Sequence, residues 1–243
     1  MPTDCSYSGI MKKLRLSYEV ICGIIILGTL WATLVGHASN TQSEASNMIK
    51  LPEPKVDGKV SVEAALLTRR SIREYKSEPL TLEEISQLLW AAQGITARGM
   101  FRTAPSAGAL YPLEVYVVAG NVTGLPAGIY KYRFQSHEMV RVGEGDKRTE
   151  LASAALGQSC IRSAPAVIVF SAVYARTTGK YGERGVRYVH MEAGHAAQNV
   201  ALQAVARNLG TVMIGAFGDR DVKRVVQMPE NEEPLYLLPV GRH

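Results

Sequence analysis

Cysteine is nearly absent from the foldable part of this chain. Of three cysteines, Cys5 and Cys22 fall in the first 22 residues and only Cys160 lies further on. One thiol supports neither a disulfide framework nor a Cys-based zinc site. His37, His137, His190, His195 and His243 show no paired metal-ligand spacing. His190 and His195, five apart, fall off one helical face, and His195 reads as a structural residue packed in a long helix. No Gly-x-Gly-x-x-Gly follows a strand-like run, so no dedicated Rossmann site is visible. Charge of one sign is also scarce. Lys+Arg number 27 against 22 Asp+Glu. That balance is too mild to argue for nucleic acid, and no basic–aromatic interleaving adds to it. Internal repeats are lacking. Disorder is excluded as well: 47% of residues are hydrophobic and 20% charged, enough apolar content for a real core.

What is present begins with a targeting pattern. Lys12, Lys13 and Arg15 precede an uncharged run from Val20 to Gly36, and small residues follow at Gly36-His37-Ala38. Residues 1–38 therefore read as a signal peptide or a membrane anchor, cleavage after Ala38 fitting the first. Basic residues ahead of the run place residues 39–243 outside the cytoplasm. Residues 39–59, rich in Ser, Asn, Glu and Pro, read as a flexible linker. The domain is expected over 60–243.

Within it, Val62, Ala65, Leu66 and Leu67 suggest a short helix. Thr81-Leu-Glu-Glu84 is a capping-box pattern opening a helix that ends at Gly94. Val115–Val118 is a β-branched strand; Ile129–Tyr132 and Met139–Val142 read as a hairpin. Ala166–Phe170 is fully apolar, as at a sheet centre, and Leu235–Val240 is a last strand. Val189–Leu209 is the longest helix candidate, with Gly210 expected as its left-handed cap. Helices and strands mix with mostly antiparallel spacing, so the fold class is α+β.

Chemistry concentrates in a few segments. Arg69, Arg70 and Arg73 flank Ser71, and guanidinium forks with a hydroxyl suit phosphate oxygens. Pro105-Ser106-Ala107-Gly108-Ala109-Leu110-Tyr111-Pro112 is a loop of small residues whose backbone can approach a flat ligand. Gly215-Ala216-Phe217-Gly218 is a second small-residue turn, and Gly241-Arg242 follows the last strand.

In this order and spacing, the four segments resemble the nitroreductase family of FMN flavoproteins, from about Val60 to Arg242. The 105–112 loop, with Tyr188 and Gly194-His195, looks like the SagB-type dehydrogenases, which oxidise azolines in modified peptides. The resemblance implies a nitroreductase-like fold: a central mixed, mostly antiparallel sheet flanked by helices, with the long helix at a homodimer interface. It implies that Arg69, Ser71 and Arg73, with Arg70 beside them, hold the FMN phosphate and ribityl chain. Pro105, Ser106, Ala107 and Gly108 pass the isoalloxazine, and Gly215 and Ala216 lie against its N5/O4 edge. After Gly241, Arg242 matches a C-terminal residue that clasps the phosphate. Lys180-Tyr181 stands where azoline dehydrogenases carry a Lys-Tyr pair, which makes both catalytic candidates. NAD(P)H is the possible electron donor, and the substrate is a small or peptide-linked molecule. A non-catalytic, membrane-tethered flavin-binding module is the alternative.

Overall fold

The computed structural model describes residues 47–97 and 101–243. The signal-peptide or anchor segment, 1–38, lies outside the described residues. No helix among them is long and apolar enough to cross a membrane. Met48–His243 form one compact unit.

Among the described residues, eleven strands and seven α-helices follow in order. β1 (Met48–Lys50) leads to α1 (Val62–Thr68), β2 (Leu80–Thr81), α2 (Leu82–Gln93), β3 (Ile95–Ala97) and β4 (Phe101–Arg102). Then come β5 (Leu113–Ala119), β6 (Val122–Thr123), β7 (Gly128–Arg133), β8 (Glu138–Glu144), α3 (Arg148–Ala154) and α4 (Ser159–Ser163). The chain closes with β9 (Ala166–Ala172), α5 (Ala175–Tyr181), α6 (Arg184–Ala206), β10 (Gly210–Thr211), α7 (Asp219–Val226) and β11 (Glu233–Gly241). The main sheet runs β1-β8-β7-β5-β9-β11-β10, and every pairing in it is antiparallel. The α+β class expected from the sequence is what forms.

β9 sits inside the sheet, between β5 and β11, because it can afford no wet face: all seven of its residues are buried. Its Ile168 lies between Val117 of β5 and Leu238 of β11. Alternate residues feed two cores. Ile168 and Phe170 face α2 and α6, while Val167 and Val169 face α3, α4 and α7, where Cys160 is buried. The result is a sheet layered between helices.

The start of α2 follows its sequence signature closely. Thr81 Oγ1 accepts from Glu84 N at 3.2 Å, and Glu84 Oε2 accepts from Thr81 N at 2.8 Å. Together these two bonds satisfy donors the helix end would leave orphaned.

Four expectations need correction. Of the linker expected over 39–59, residues 48–55 are tied to the domain. β1 adds to the sheet edge opposite Glu138–Val140, Leu51 is buried, and Gln87 exchanges two 2.9 Å bonds with the Lys55 backbone. The period-two pattern of Ile49 and Leu51 was hidden by the polar, Pro-rich residues that follow. Second, Gly210 is not the left-handed cap of α6. Asn208 takes that conformation (φ 57°), and Leu209 N returns to Ala204 O at 2.8 Å. Gly210 is needed for close approach instead, since a methyl group there would lie 2.7 Å from Ile72 Cβ. Third, the Ala- and Val-rich face of α6 is spent on the subunit's own core: Ala193, Ala196, Ala197, Val200 and Ala204 are all buried. An interface on α6 therefore has to use another face, where Val186 and Met191 are exposed. Fourth, His195 is exposed rather than packed.

Candidate functional site

The arginine-rich segment leaves α1 as an extended strap across the end of the sheet. Ser71 bridges Thr211, and Ile72 N donates to Thr211 O at 3.0 Å. Tyr75 anchors the far end: its hydroxyl donates to Ile72 O at 2.7 Å and lies 3.0 Å from Pro239 O. Burial pushes the Tyr75 phenol pKa well up, so the anchor stays protonated. Gly241 lies under it, for a methyl group there would meet Tyr75 Cδ1 at 3.0 Å.

The four arginines assigned to phosphate differ in their partners. Arg70 Nη1 bonds the carbonyls of Leu67 and Arg69, closing the end of α1. Arg242 is held by Glu84 at 2.9 Å and Glu78 at 3.4 Å. Among the described residues, the side chains of Arg69 and Arg73 have no hydrogen-bond or carboxylate partner. Arg73 is exposed and Arg69 half-buried. The hydroxyl of Thr211, opposite Ser71, is buried and unpartnered. Two free guanidiniums and spare hydroxyls suit a dianionic phosphate. Arg242 already has two carboxylate partners within the chain.

The small-residue loop has an unusual backbone. Gly108 (φ 63°), Ala109 (φ 54°) and Tyr111 (φ 46°) all take left-handed conformations. Two of the three pay the side-chain penalty, of order 1–2 kcal/mol each, so their surroundings must hold them there. Tyr111 does this with three bonds. Its N donates to Ser106 Oγ at 2.9 Å, its carbonyl accepts from Arg176 at 3.1 Å, and its hydroxyl accepts from Arg102 N at 3.2 Å.

Lys180 and Tyr181 end α5 and come up against this loop. A methyl group on Gly108 would lie 2.7 Å from Tyr181 Oη and 3.1 Å from Lys180 Nζ. A side chain at Gly108 would be strained by its φ of 63° and would push both groups aside. Tyr181 packs edge-on to Tyr188 at 5.2 Å, and Lys180 Nζ stands 5.4 Å from the Tyr181 ring centre. The structure thus unites two motifs that are about 70 residues apart in sequence. Gly215 and Ala216 are exposed beyond β10. A methyl group on Gly215 would touch Tyr236 at 3.7 Å, and Ala216 O accepts from Gln158 at 3.1 Å.

One buried acid escaped the sequence reading. Glu192 is 2% exposed on α6, and its Oε1 has no partner. Burial pushes its carboxyl up to about 7, tempered by Ser106, Arg102 and Gln93 nearby. Gln93 Nε2 and Arg102 Nε are likewise buried and unpartnered. The signal was in the pattern: Glu192 lies three residues after Val189 and four before Ala196, inside the apolar stripe.

The strap, the small-residue loop and the Lys-Tyr pair are the segments expected of a flavin-dependent oxidoreductase, and the family comparison gives the chain that class. A nitroreductase family model matches residues 66–242. A protein of Methanocaldococcus jannaschii named as a nitroreductase is 49% identical over 194 residues, covering 80% of this chain and 96% of that one. A nitroreductase crystal structure from Ralstonia eutropha superposes with a TM-score of 0.72 at 31% identity, covering 81% of this chain and 89% of that one. The chain belongs to the nitroreductase family. Its SagB-type relationship is carried by a trifolitoxin operon protein of Rhizobium leguminosarum, 26% identical over 192 residues. That match spans 72% of this chain and about half, 54%, of the relative.

Proposed function

We propose that the chain binds FMN and moves hydride between its flavin and a small organic or peptide-linked substrate, with Lys180 and Tyr181 handling the accompanying proton. The observation that carries this is the contact of Gly108 with Tyr181 Oη and Lys180 Nζ, because it puts two proton-bearing groups at the loop meant for the ring. Arg69 and Arg73 would hold the phosphate, with Ser71 adding a hydroxyl bond. Pro105–Gly108 and Gly215–Ala216 would offer backbone to the ring. Bound FMN supplies the two-electron chemistry itself. The protein's part is to fix the loop through Tyr111, exclude bulk at Gly108 and hold a proton at Tyr181 Oη or Lys180 Nζ. NAD(P)H is the proposed donor. The peptide-linked option draws support from the trifolitoxin operon relative.

The exposed apolar residues Val62, Leu66 and Leu67 of α1, with Met191 of α6, support a homodimer through these helices. The charged-then-apolar order of residues 12–36 supports a location outside the cytoplasm, and protease accessibility in intact cells tests it.

The main test is the visible spectrum of the purified full chain, with mass identification of released cofactor. A flavin spectrum with FMN at about one per chain is expected. Lys180→Ala and Tyr181→Phe should each lower turnover roughly tenfold or more while keeping the flavin. A colourless folded chain that refuses added FMN sinks the cofactor assignment. Unchanged turnover in both variants sinks the Lys-Tyr role.

A further inference from the structure

Beside the Pro105–Pro112 loop lies a cavity of about 710 Å³ that the reading above leaves without a task. Four cations line it: Arg102, Lys131, Arg133 and Arg176. Two carboxylates answer two of them. Glu114 pairs with Lys131 at 3.1 Å and Arg176 at 2.6 Å, and the buried Glu232 takes Lys131 as well. Arg102 and Arg133 have no carboxylate partner among the described residues.

Arg102 carries the argument. Its guanidinium is stacked between two rings, 3.4 Å from the centre of Phe134 and 4.2 Å from that of Tyr111. One N–H donates to Gln93 Oε1 at 2.8 Å, and the buried Nε is unpartnered. Burial lowers its pKa to about 10, so it remains charged at neutral pH. Glu192 and Glu114 act on it through space but neither makes an ion pair with it, and a part-buried cation without a direct partner is costly to keep in a fold. Nη1 is committed to Gln93 and Nε is enclosed, so Nη2 is the donor left for an anion, and one part-buried guanidinium matches a monoanionic carboxylate better than a dianionic phosphate. The same rings offer apolar walls to the rest of a ligand.

We infer that this cavity is a subsite for the carboxylate of an aromatic, amino-acid- or peptide-derived acid, held by Arg102 with Arg133 at the rim. It rests on the proposed function in one respect: Tyr111, which walls the cavity, belongs to the loop that Lys180 and Tyr181 touch, so the acid's anchor lies next to the reacting centre.

Calorimetric titration of the full chain with N-acetyl-phenylalanine, its neutral amide and inorganic phosphate tests this. The acid should bind roughly tenfold or more tightly than the amide, a difference of about 1.4 kcal/mol. Arg102→Lys, which keeps the charge but loses the guanidinium held over the two rings, and Arg133→Gln should each remove most of that preference. Arg133 is exposed, so its variant keeps the test decisive where a change at Arg102 costs the fold. Equal binding of acid and amide, or no binding of either, overturns the subsite. Phosphate binding as tightly as the acid overturns the carboxylate assignment. Calorimetry needs no flavin, which separates the two claims. A colourless chain that prefers the acid loses the cofactor and keeps the subsite; a yellow chain indifferent to it does the reverse.

Discussion

Replacing Glu192 by Gln should make the protein more stable above neutral pH, and the gain should vanish in acid. Glu192 is 2% exposed, and burial raises its carboxyl from 4.5 to about 7. Between those values the folded chain keeps a proton that the unfolded chain releases. By linkage, stability falls as pH rises through that window and stays lowered above it. At about 1.4 kcal/mol per pH unit, the loss comes to roughly 3 kcal/mol. Arg102 is the charged group that opposes it, and Ser106 and Gln93 add neutral contacts. Glutamine keeps the shape and carries no charge at any pH, so the fall disappears. Urea unfolding of wild type and Glu192→Gln at pH 5, 6, 7 and 8 is the assay. The curves should meet near pH 5 and diverge by roughly 2–3 kcal/mol at pH 8, about 6–10 °C in Tm for a domain of this size. Parallel pH dependences, or a variant less stable at pH 8, would refute the claim that this acid is held neutral by burial.

Gly210→Ala should cost about 2 kcal/mol in urea unfolding and weaken flavin retention, because its methyl drives Ile72 and the arginine strap off the sheet end. Wild-type values for both would show that the strap has slack. Glu232→Ala should cost about 3–5 kcal/mol, since it strips the buried partner of Tyr116 Oη (2.8 Å), Ser171 Oγ (2.7 Å) and Lys131. A loss below about 1 kcal/mol by the same assay would mean that water replaces the carboxylate. Glu84→Ala should cost about 1–2 kcal/mol, as it removes half of the capping box and the Arg242 ion pair together. Arg69→Ala and Arg73→Ala should each lower FMN retention on dialysis roughly tenfold, while Arg70→Ala keeps the flavin and frays α1.

The sequence was most legible where one local rule decides the outcome. The capping box at Thr81, the hairpin of β7 and β8 and the fully apolar β9 each follow from a period or a cap read over a few residues. It was least legible where a distant residue decides. Gly210 looked like a helix terminator because glycine usually is one, but its role is set by Ile72, far away in sequence. The 48–59 stretch looked unstructured because its polar residues outnumber the two that matter, Ile49 and Leu51. Only the edge of β8 and the surface of α2 give those a partner. Glu192 was legible in principle, as an acid in an apolar stripe, and was passed over because no motif contains it.

Motif matching treats the arginines as equals, and the structure ranks them by what already neutralises them. Arg70 bonds backbone carbonyls, Arg242 bonds two carboxylates, and Arg69 and Arg73 bond nothing among the described residues. In the proposed site a phosphate dianion needs about two cations, and the two unpartnered residues supply that number. Arg242 is placed differently. By pairing with Glu84 at the start of α2, while its carbonyl takes Lys76 N at 2.9 Å, it clamps the end of the strap to the helix and the last strand. The same accounting separates the cations around the cavity. There too the paired ones, Lys131 and Arg176, hold the frame, and the unpaired ones, Arg102 and Arg133, are left for a ligand. In both proposed sites it is the counter-ions within the chain, and not the residue type, that separate scaffold from ligand-binding residues.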